Sequence, residues 1–592
     1  MNKNNNKTGR STKMMVKWLG AAFFILHSSF FISCSDQLDE VPDNRTEIDD
    51  VDKVQKLLVS AYPSGLPAVI CELSADNLVD NNVVVPATHN SAYSAWHDEA
   101  YKWQDITNYS TGEQDTPYQT WEACYGGIAV ANHAIEAMTK MSPDPKNDPQ
   151  LAHSWGEAHL LRAWLHFTLL NVFAEAYKDD TQSEKDYGIP YVTEPETVVN
   201  VDYSTPEYRK SVAECYRLIE KDILEGIGLI DDSRYKVPAY HFNRNAAHAL
   251  AARFYLFWRK YDKCVEHANA ALGVNPASVL RKWASLNTNT MDTRLNDYND
   301  EKAACNFLIV PTNSIQDRMM SACRYCINNG KTPDVSGMVF DNDSLKNAYI
   351  QKHTVYGTDA ILYNGGGPNW TGYVPAYAGN LFIWGNQDYG LWLFRVYEYF
   401  EYTDKIAGIG YVHILYQPFT AEETLLCRAE AKLFLGDREG AITDLGYWTS
   451  SKMVENALTQ ASIDRKYGGK PGTQYVDDVH MKEMSPEFKQ LTAEEMRVLY
   501  CILHFRRIEN MYEGLRWFDI KRYGITVHHA YRGPQEDDIH HDWLTWDDPR
   551  RVLQIPTNVI SAGYPSNDRG EPRTVNQTGY QTPAHSVLQT TK

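Results

Sequence analysis

The sequence predicts a mainly α-helical protein in which paired helices form a scaffold and a long, ring-rich segment of loops is carried on it. Three observations lead there. Several stretches repeat apolar residues at helical spacing, among them "GEAHLLRAWLHFTLLNVF" at 156–173. Two others read as helix, tight turn, helix: "NRNAAHALAARFYLFWRKYDKCVEHANAALG" and "TAEETLLCRAEAKLFLGDREGAITDLG". Between them lies "AILYNGGGPNWTGYVPAYAGNLFIWGNQDYGLW", whose Gly, Pro and Asn oppose any continuous helix.

Taken in order, the first helix is expected around Val51–Ala61. A second follows near Trp121, Tyr125, Ile128, Asn132 and Ile135, where Gly126-Gly127 permits close packing. After the long 156–173 helix, Thr205 is a candidate cap with Pro206 in the first turn. The first hairpin turns near Lys260, with Tyr261, Cys264 and Ala268 interlocking; the second turns at Gly436-Asp437 with Ala441 packing behind it. Thr420 and Glu423 can form a reciprocal capping box, as can Thr492 and Glu495. Both hairpins resemble the tetratricopeptide type. An irregular region is expected at Thr449–Ser485, and the last long helix carries "RRIENMYEGLRWFDIKRYG". There Phe505, Ile508, Tyr512 and Leu515 make an apolar stripe, while Glu509, Glu513, Arg516 and Asp519 are placed for local ion pairs.

The chain has 592 residues, ample for a large core, and 76 acidic against 57 basic residues give a formal charge of −19, which disfavours nucleic acid as a partner. The 15 Trp and 38 Tyr serve equally as core or as recognition surface. Lys3, Lys7, Arg10, Lys13 and Lys17 precede the short apolar run "WLGAAFFILHSSFFI", an export signal rather than a membrane span. The run ends in "FISC", which resembles a bacterial lipoprotein signal and makes Cys34 the candidate lipidation site. A signal peptide over 1–33 and a polar tether over 34–50 follow from that reading.

Nine cysteines remain, an odd number; Cys124, Cys215, Cys264, Cys427 and Cys501 fall in helical patterns and read as buried thiols. "CRYC" at Cys323–Cys326 has no second pair to complete a zinc site. "VHHAYRGPQEDDIHHDW" reads as a polar surface loop without a metal-ligand spacing, so no metal or cofactor is expected.

Two ring clusters are the candidate ligand contacts. Trp96, Tyr101 and Trp103 lie near Asp76, Asp80, Asn81 and Asn82; Trp370, Tyr373, Trp384 and Tyr389 lie in the long insertion. Rings cover apolar sugar faces, and Asn, Asp or Arg orient hydroxyls.

"NMYEGLRWFDIKRYG" resembles the late motif of the SusD/RagB family of nutrient-binding lipoproteins at Glu513, Gly514, Arg516, Trp517, Phe518, Asp519, Arg522 and Gly524. The resemblance continues at Gly156, Glu157, Ala158, Leu161, Arg162, Ala163 and Phe167, then at Tyr187–Val192. Phe505, Gln554 and Val559 depart from the family pattern, which commonly has Glu, Pro and Glu there. The resemblance implies a SusD-like fold with four tetratricopeptide-like helix pairs supporting an irregular ligand-binding face. It divides the folded chain into a helical region at 51–273, a ring-rich insertion at 274–416 and a C-terminal region at 417–592. It implies a lipid-anchored protein on the outer face of the Bacteroidetes outer membrane that captures oligosaccharide, or peptide as in the RagB branch, for a SusC-like TonB-dependent transporter. Adhesion and glycoside hydrolysis are the competing classes; hydrolysis needs two suitably placed acids that a sequence does not reveal, and the expectation is a protein that is not an enzyme.

Overall fold

The computed structural model of the protein describes residues 48–80, 94–196, 201–203, 205, 208–286, 291–322, 324–326, 394–452, 457–467, 484–533 and 539–570. Cys34, Asn81, Asn82, Trp370, Tyr373, Trp384 and Tyr389 lie outside the described residues.

The helices that carry the architecture are α1 (Val51–Val59), α2 (Ala68–Ser74), α3 (Ala95–Tyr101), α4 (Pro117–Met141), α5 (Ala152–Phe173) and α6 (Val212–Gly226). They continue with α7 (Arg244–Phe257), α8 (Tyr261–Leu272), α9 (Ala421–Phe434), α10 (Arg438–Ser451), α11 (Ala493–Glu509) and α12 (Leu515–Tyr523). The strands are short: β1 (Val79–Asp80), β2 (Tyr187–Pro190), β3 (Arg209–Ser211), β4 (Asn306–Thr312), β5 (Tyr325–Cys326), β6 (Glu398–Asp404), β7 (Ile409–Thr420), β8 (Val527–Arg532) and β9 (Ile539–Leu544). They pair antiparallel as β1 with β5, β2 with β3, β8 with β9, and a three-stranded sheet ordered β4-β7-β6.

Helix α4 starts where Thr116 accepts the Gln119 N–H and Pro117 takes a position that needs no donor. Helix α5 is buried nearly all round, as a helix with no polar face must be, and it packs on α4 and α6. Its contact with α6 depends on two glycines: a methyl on Gly156 would meet the Gly226 carbonyl oxygen at 2.8 Å, and one on Gly226 would meet the Gly156 oxygen at 2.5 Å. The pairs α7/α8 and α9/α10 share one turn design. Each is joined by three residues, 258–260 and 435–437, and the middle one is left-handed in both, Arg259 at φ 59° and Gly436 at φ 81°. Helix α8 packs on α9, and α9 on α11, so the two hairpins and the late helices form one continuous scaffold.

Several boundaries differ from expectation. The helix expected to start at Thr205 begins at Val212, capped by Ser211, because Arg209–Ser211 is drawn into pairing with β2. Thr420 accepts the Glu423 N–H, but Glu423 does not return the bond; its carboxylate accepts from Arg253 at 3.1 Å instead. The reciprocal box at Thr492 and Glu495 forms. The region Thr449–Ser485 is not wholly irregular: α10 runs to Ser451, and Gln460–Tyr467 is helical. Within "VHHAYRGPQEDDIHHDW", expected as a polar loop, Val527–Arg532 and Ile539–Trp543 are paired strands, with His529 buried.

The largest correction concerns "RRIENMYEGLRWFDIKRYG", which is two helices. Helix α11 ends at Glu509 and α12 starts at Leu515, with Gly514 left-handed at φ 77°. A side chain on Gly514 would press within 2.9 Å of Cys71 Cβ and 3.0 Å of Ala68 Cα, so this position needs glycine for both conformation and space.

Candidate functional site

The motif charges mostly reach across the fold rather than along their own helix. Arg516 grips Asp76 with two bonds of 2.8 Å, Arg507 donates to Asn77 at 2.8 Å, and Gly514 N–H donates to Glu72 at 3.0 Å. Arg506 holds Asp519 at 2.9 Å, and Arg522 bridges Asp519 and Glu430 at 2.7 Å each, so Arg522 with Asp519 is the local pair. Glu513 faces Arg395 at 3.1 Å, and Trp517 is fully buried. Buried guanidinium–carboxylate pairs of this kind tie α12 to the chain that leads into β1.

That fastening sets the place of the first predicted ring cluster. Trp96, Tyr101 and Trp103 are each 2% exposed or less, and Asp76 and Asp80 are buried too. Tyr325, Tyr101, His529 and Trp103 form one stack, with successive centroids 4.3, 4.1 and 4.2 Å apart. Trp96 donates to Glu113 at 3.1 Å, Trp103 to the Ser74 carbonyl at 2.9 Å, and Arg324 binds Asp80 at 2.8 Å. The expectation that these five residues touch a ligand is therefore corrected: their faces and polar groups are taken up by the protein. They support the β1–β5 ladder, in which Asp80 pairs with Tyr325.

An open cleft of about 850 Å³ lies elsewhere, between α4, the segment after β2 and the turn at 559–564. Trp121, Tyr125, Ile128, Ala129 and His133 come from one face of α4, at the three- and four-residue spacing that puts side chains side by side. Pro190, Val192, Glu194 and Glu196 form a second wall, Val201, Asp202 and Tyr203 a third, and Val559, Ala562, Gly563 and Tyr564 close the end. Trp121 lies 4.9 Å from Tyr125 and 5.9 Å from Tyr564, centroid to centroid. The volume falls in the range of small-ligand sites.

The wall after β2 is pinned from behind. Arg162 on α5 binds Asp222 through Nε at 2.9 Å and Nη2 at 2.6 Å, and its Nη1 donates to Asn132 at 2.9 Å and to the Thr193 carbonyl at 3.1 Å. Asn132 in turn donates to the carbonyls of Val192 and Glu194, and Tyr125 to that of Pro190 at 2.8 Å. Burial pushes the His166 pKa down to about 3, so the ring is neutral; it accepts the Val192 N–H at 3.1 Å and donates to the Arg162 carbonyl at 2.9 Å. Burial alone would raise Asp222, yet the Arg162 guanidinium and the His159 hydrogen bond hold its carboxyl well below the usual range. The motif residue Arg162 thus sets the backbone from which Glu194 projects.

The far end is fixed by Gln554, one of the departures from the family pattern. Its carboxamide accepts the Asn567 N–H at 2.7 Å and donates to the Asn567 carbonyl at 3.1 Å. Asn567 then donates to the Phe173 carbonyl at 2.8 Å. Val559, another departure, lines the cleft itself.

None of the cleft residues was singled out as a contact from sequence. Trp121 and Tyr125 read only as helix spacing. The usable signal was the run "TEPETVVNVDYSTPE" at 193–207, acidic and without Lys or Arg, next to a helix with rings on one face.

A helical scaffold that holds an open, ring-lined cleft has the build of a binding protein. A family model described as SusD-like, starch-binding and associating with the outer membrane matches residues 36–256. A SusD-like protein of Formosa agariphila is 28% identical over 232 residues, 39% of this chain and only 37% of that relative's length. Among solved structures, a SusD superfamily protein of Bacteroides fragilis superposes with a TM-score of 0.51 at 15% identity, covering 88% of this chain and 98% of its own. One from Bacteroides vulgatus gives 0.50 at 18% identity, over 88% and 98%. At these identities the structures share the fold. Together with the motifs at Gly156–Phe167 and Glu513–Gly524, these findings make the chain similar to the SusD/RagB family, in sequence over residues 36–256 and in fold over 88% of the chain. Among the described residues no helix is long and apolar enough to cross a membrane.

Proposed function

We propose that the protein is a surface nutrient-binding lipoprotein that captures an oligosaccharide and passes it to a SusC-like TonB-dependent transporter. The observation that carries the reading is the cleft. It offers ring faces for apolar sugar surfaces, and carboxylates on its rim can accept bonds from hydroxyls. The family's description as starch-binding and associated with the outer membrane supports the ligand class. Anchoring through Cys34 supplies the membrane attachment, and capture proceeds without bond cleavage. Trp370, Tyr373, Trp384 and Tyr389, with Asn81 and Asn82, are proposed as further contacts.

The test is calorimetry on the full chain purified in detergent, titrated with neutral oligosaccharides and with peptides. Saccharide binding that weakens in Tyr203→Ala and Trp121→Phe, without product formation on long incubation, supports the proposal. Unchanged affinity in both variants removes the cleft from it, and peptide binding alone turns the reading to the RagB type. Co-purification of a TonB-dependent barrel tests the partner separately.

A further inference from the structure

From the charges around the cleft, we infer that its ligand is amine-bearing: a glycan with protonated amino groups rather than a neutral or acidic one. The inference rests on the glycan reading above and adds the charge of the substrate.

Glu194, Glu196 and Asp202 are exposed on the rim, and among the described lining residues none is Lys or Arg. Among the described residues neither Glu194 nor Glu196 has a cationic partner. Asn132 reaches the backbone of Glu194, and the Glu196 carboxylate accepts from the Tyr203 hydroxyl. That bond ties the Tyr203 ring to the Glu196 side of the rim. His133, the remaining titratable rim group, lies 4.0 Å from Glu136 on its own helix. The Arg162 guanidinium behind the wall is held by Asp222, and that of Arg209 packs against the Tyr564 ring at 5.1 Å and donates to Asn567; neither residue lines the cleft.

A second, independent observation points to a ligand. Trp121 is nine-tenths buried and lines the cleft, and its indole N–H has no acceptor among the described residues. The N–H is not among the fully buried unpartnered atoms, so it stays open to solvent on the cleft side, where an arriving acceptor can take it. A sugar hydroxyl or ring oxygen serves that N–H. The electron-rich faces of Trp121, Tyr125 and Tyr203 attract a cation, and the rim carboxylates attract it further. A uronate or sulfate group would meet like charge on the same rim.

The test compares three oligomers of equal length on the full chain in detergent: glucosamine with free amines, its N-acetylated form, and galacturonate. The expectation is that the free-amine oligomer binds about tenfold or more tightly than the acetylated one, that galacturonate does not bind, and that the preference weakens with added salt. The double variant Glu194→Gln/Glu196→Gln, altered only at exposed positions, should lose the preference, the free-amine oligomer falling to the affinity of the acetylated one. Trp121→Phe, which keeps a ring and removes the N–H, should weaken both. Equal affinity for the free-amine and acetylated oligomers overturns the charge inference and leaves glycan capture standing. Binding of oligolysine with no glycan bound overturns glycan capture and the amino-sugar assignment together. A preference that survives in the double variant overturns the role of this cleft.

Discussion

At the junction of α9, α11 and α12, Arg253, Arg506 and Arg522 meet Glu423, Glu430 and Asp519, every one of them buried or nearly so. At the cleft beside α4, Glu194 and Glu196 stand near Trp121, Tyr125 and Tyr203 with no guanidinium or ammonium between them. Both regions mix acids with large rings, and they use them oppositely. In the first, each acid is matched by a base, so charge is consumed in holding helices together. In the second, the unmatched acids remain available to something outside. Abundance of rings and acids therefore does not identify a binding surface; the supply of basic partners does.

The strongest challenge to that contrast is Arg506→Ala. It leaves Asp519 and Glu430 buried beside a missing cation, and unfolding in denaturant should show a loss of about 3–5 kcal/mol. A loss below about 1 kcal/mol would mean water reaches the hub, and the distinction between the regions would fall. Rings give a second comparison. Trp103→Ala opens a cavity in the four-ring stack and should cost about 3–5 kcal/mol while sparing ligand contacts, whereas half-buried Tyr203→Ala should lower ligand affinity with a much smaller shift in stability. The reverse pattern in melting and calorimetry would exchange their roles.

Acidity separates the regions as well. Burial raises Glu72 and Glu513 to about 7, against the pull of Asn77 and Gly514 on the first and of Arg395 on the second. A raised carboxyl binds its proton more tightly in the folded state. Its contribution is complete below the unfolded value near 4.5 and is lost as pH rises toward 7. Asp222 has the opposite sign: the stability that Arg162 gives it is present above its unfolded value and is lost as pH falls. Melting temperature should therefore peak in mild acid. Glu72→Gln should flatten the decline between pH 4.5 and 7, a change on the order of 3 kcal/mol. An undiminished decline would assign it to other groups.

The helical frame was legible in the sequence because helix signals are local. Cap residues, the three-residue turns and the Cys264 and Ala268 interlock all lie within a few positions of what they determine. The break at Gly514 was not legible, since the apolar stripe continues through it and the reason for it, Cys71 and Ala68 pressing on the glycine, lies more than four hundred residues away. The same distance hid the site. Trp103 looks like a ligand platform until His529 is known to lie on it, and Trp121 looks like core until it is seen to share an open cleft with Pro190–Glu196 and Val201–Tyr203. The motif around Arg162 marked the right place for another reason, since that residue holds the cleft wall.

Arg162 is where the two regions join, a buried matched charge whose work is to present unmatched ones. Arg162→Lys keeps the charge but cannot make the fork to Asp222 and reach Asn132 and the Thr193 carbonyl together. A loss of about 1–3 kcal/mol in stability is expected, with weaker ligand binding because the backbone at 192–194 is freed. If affinity holds while stability falls, the wall is set by Tyr125 and His166 instead.

The smallest effect on stability belongs to Glu194→Gln, and it is the most discriminating. Its side chain is exposed and makes no ion pair among the described residues, so denaturation should shift by no more than about 0.5 kcal/mol. In the hub, the same neutralisation at Glu430 would strand Arg522 and the Tyr523 hydroxyl, and the loss should be several times larger. The two substitutions change the same chemical group by the same atoms. If they destabilise equally, the rim carboxylate is part of the scaffold. If Glu194→Gln leaves the fold untouched and alters only which ligands bind, the acid is there for the ligand.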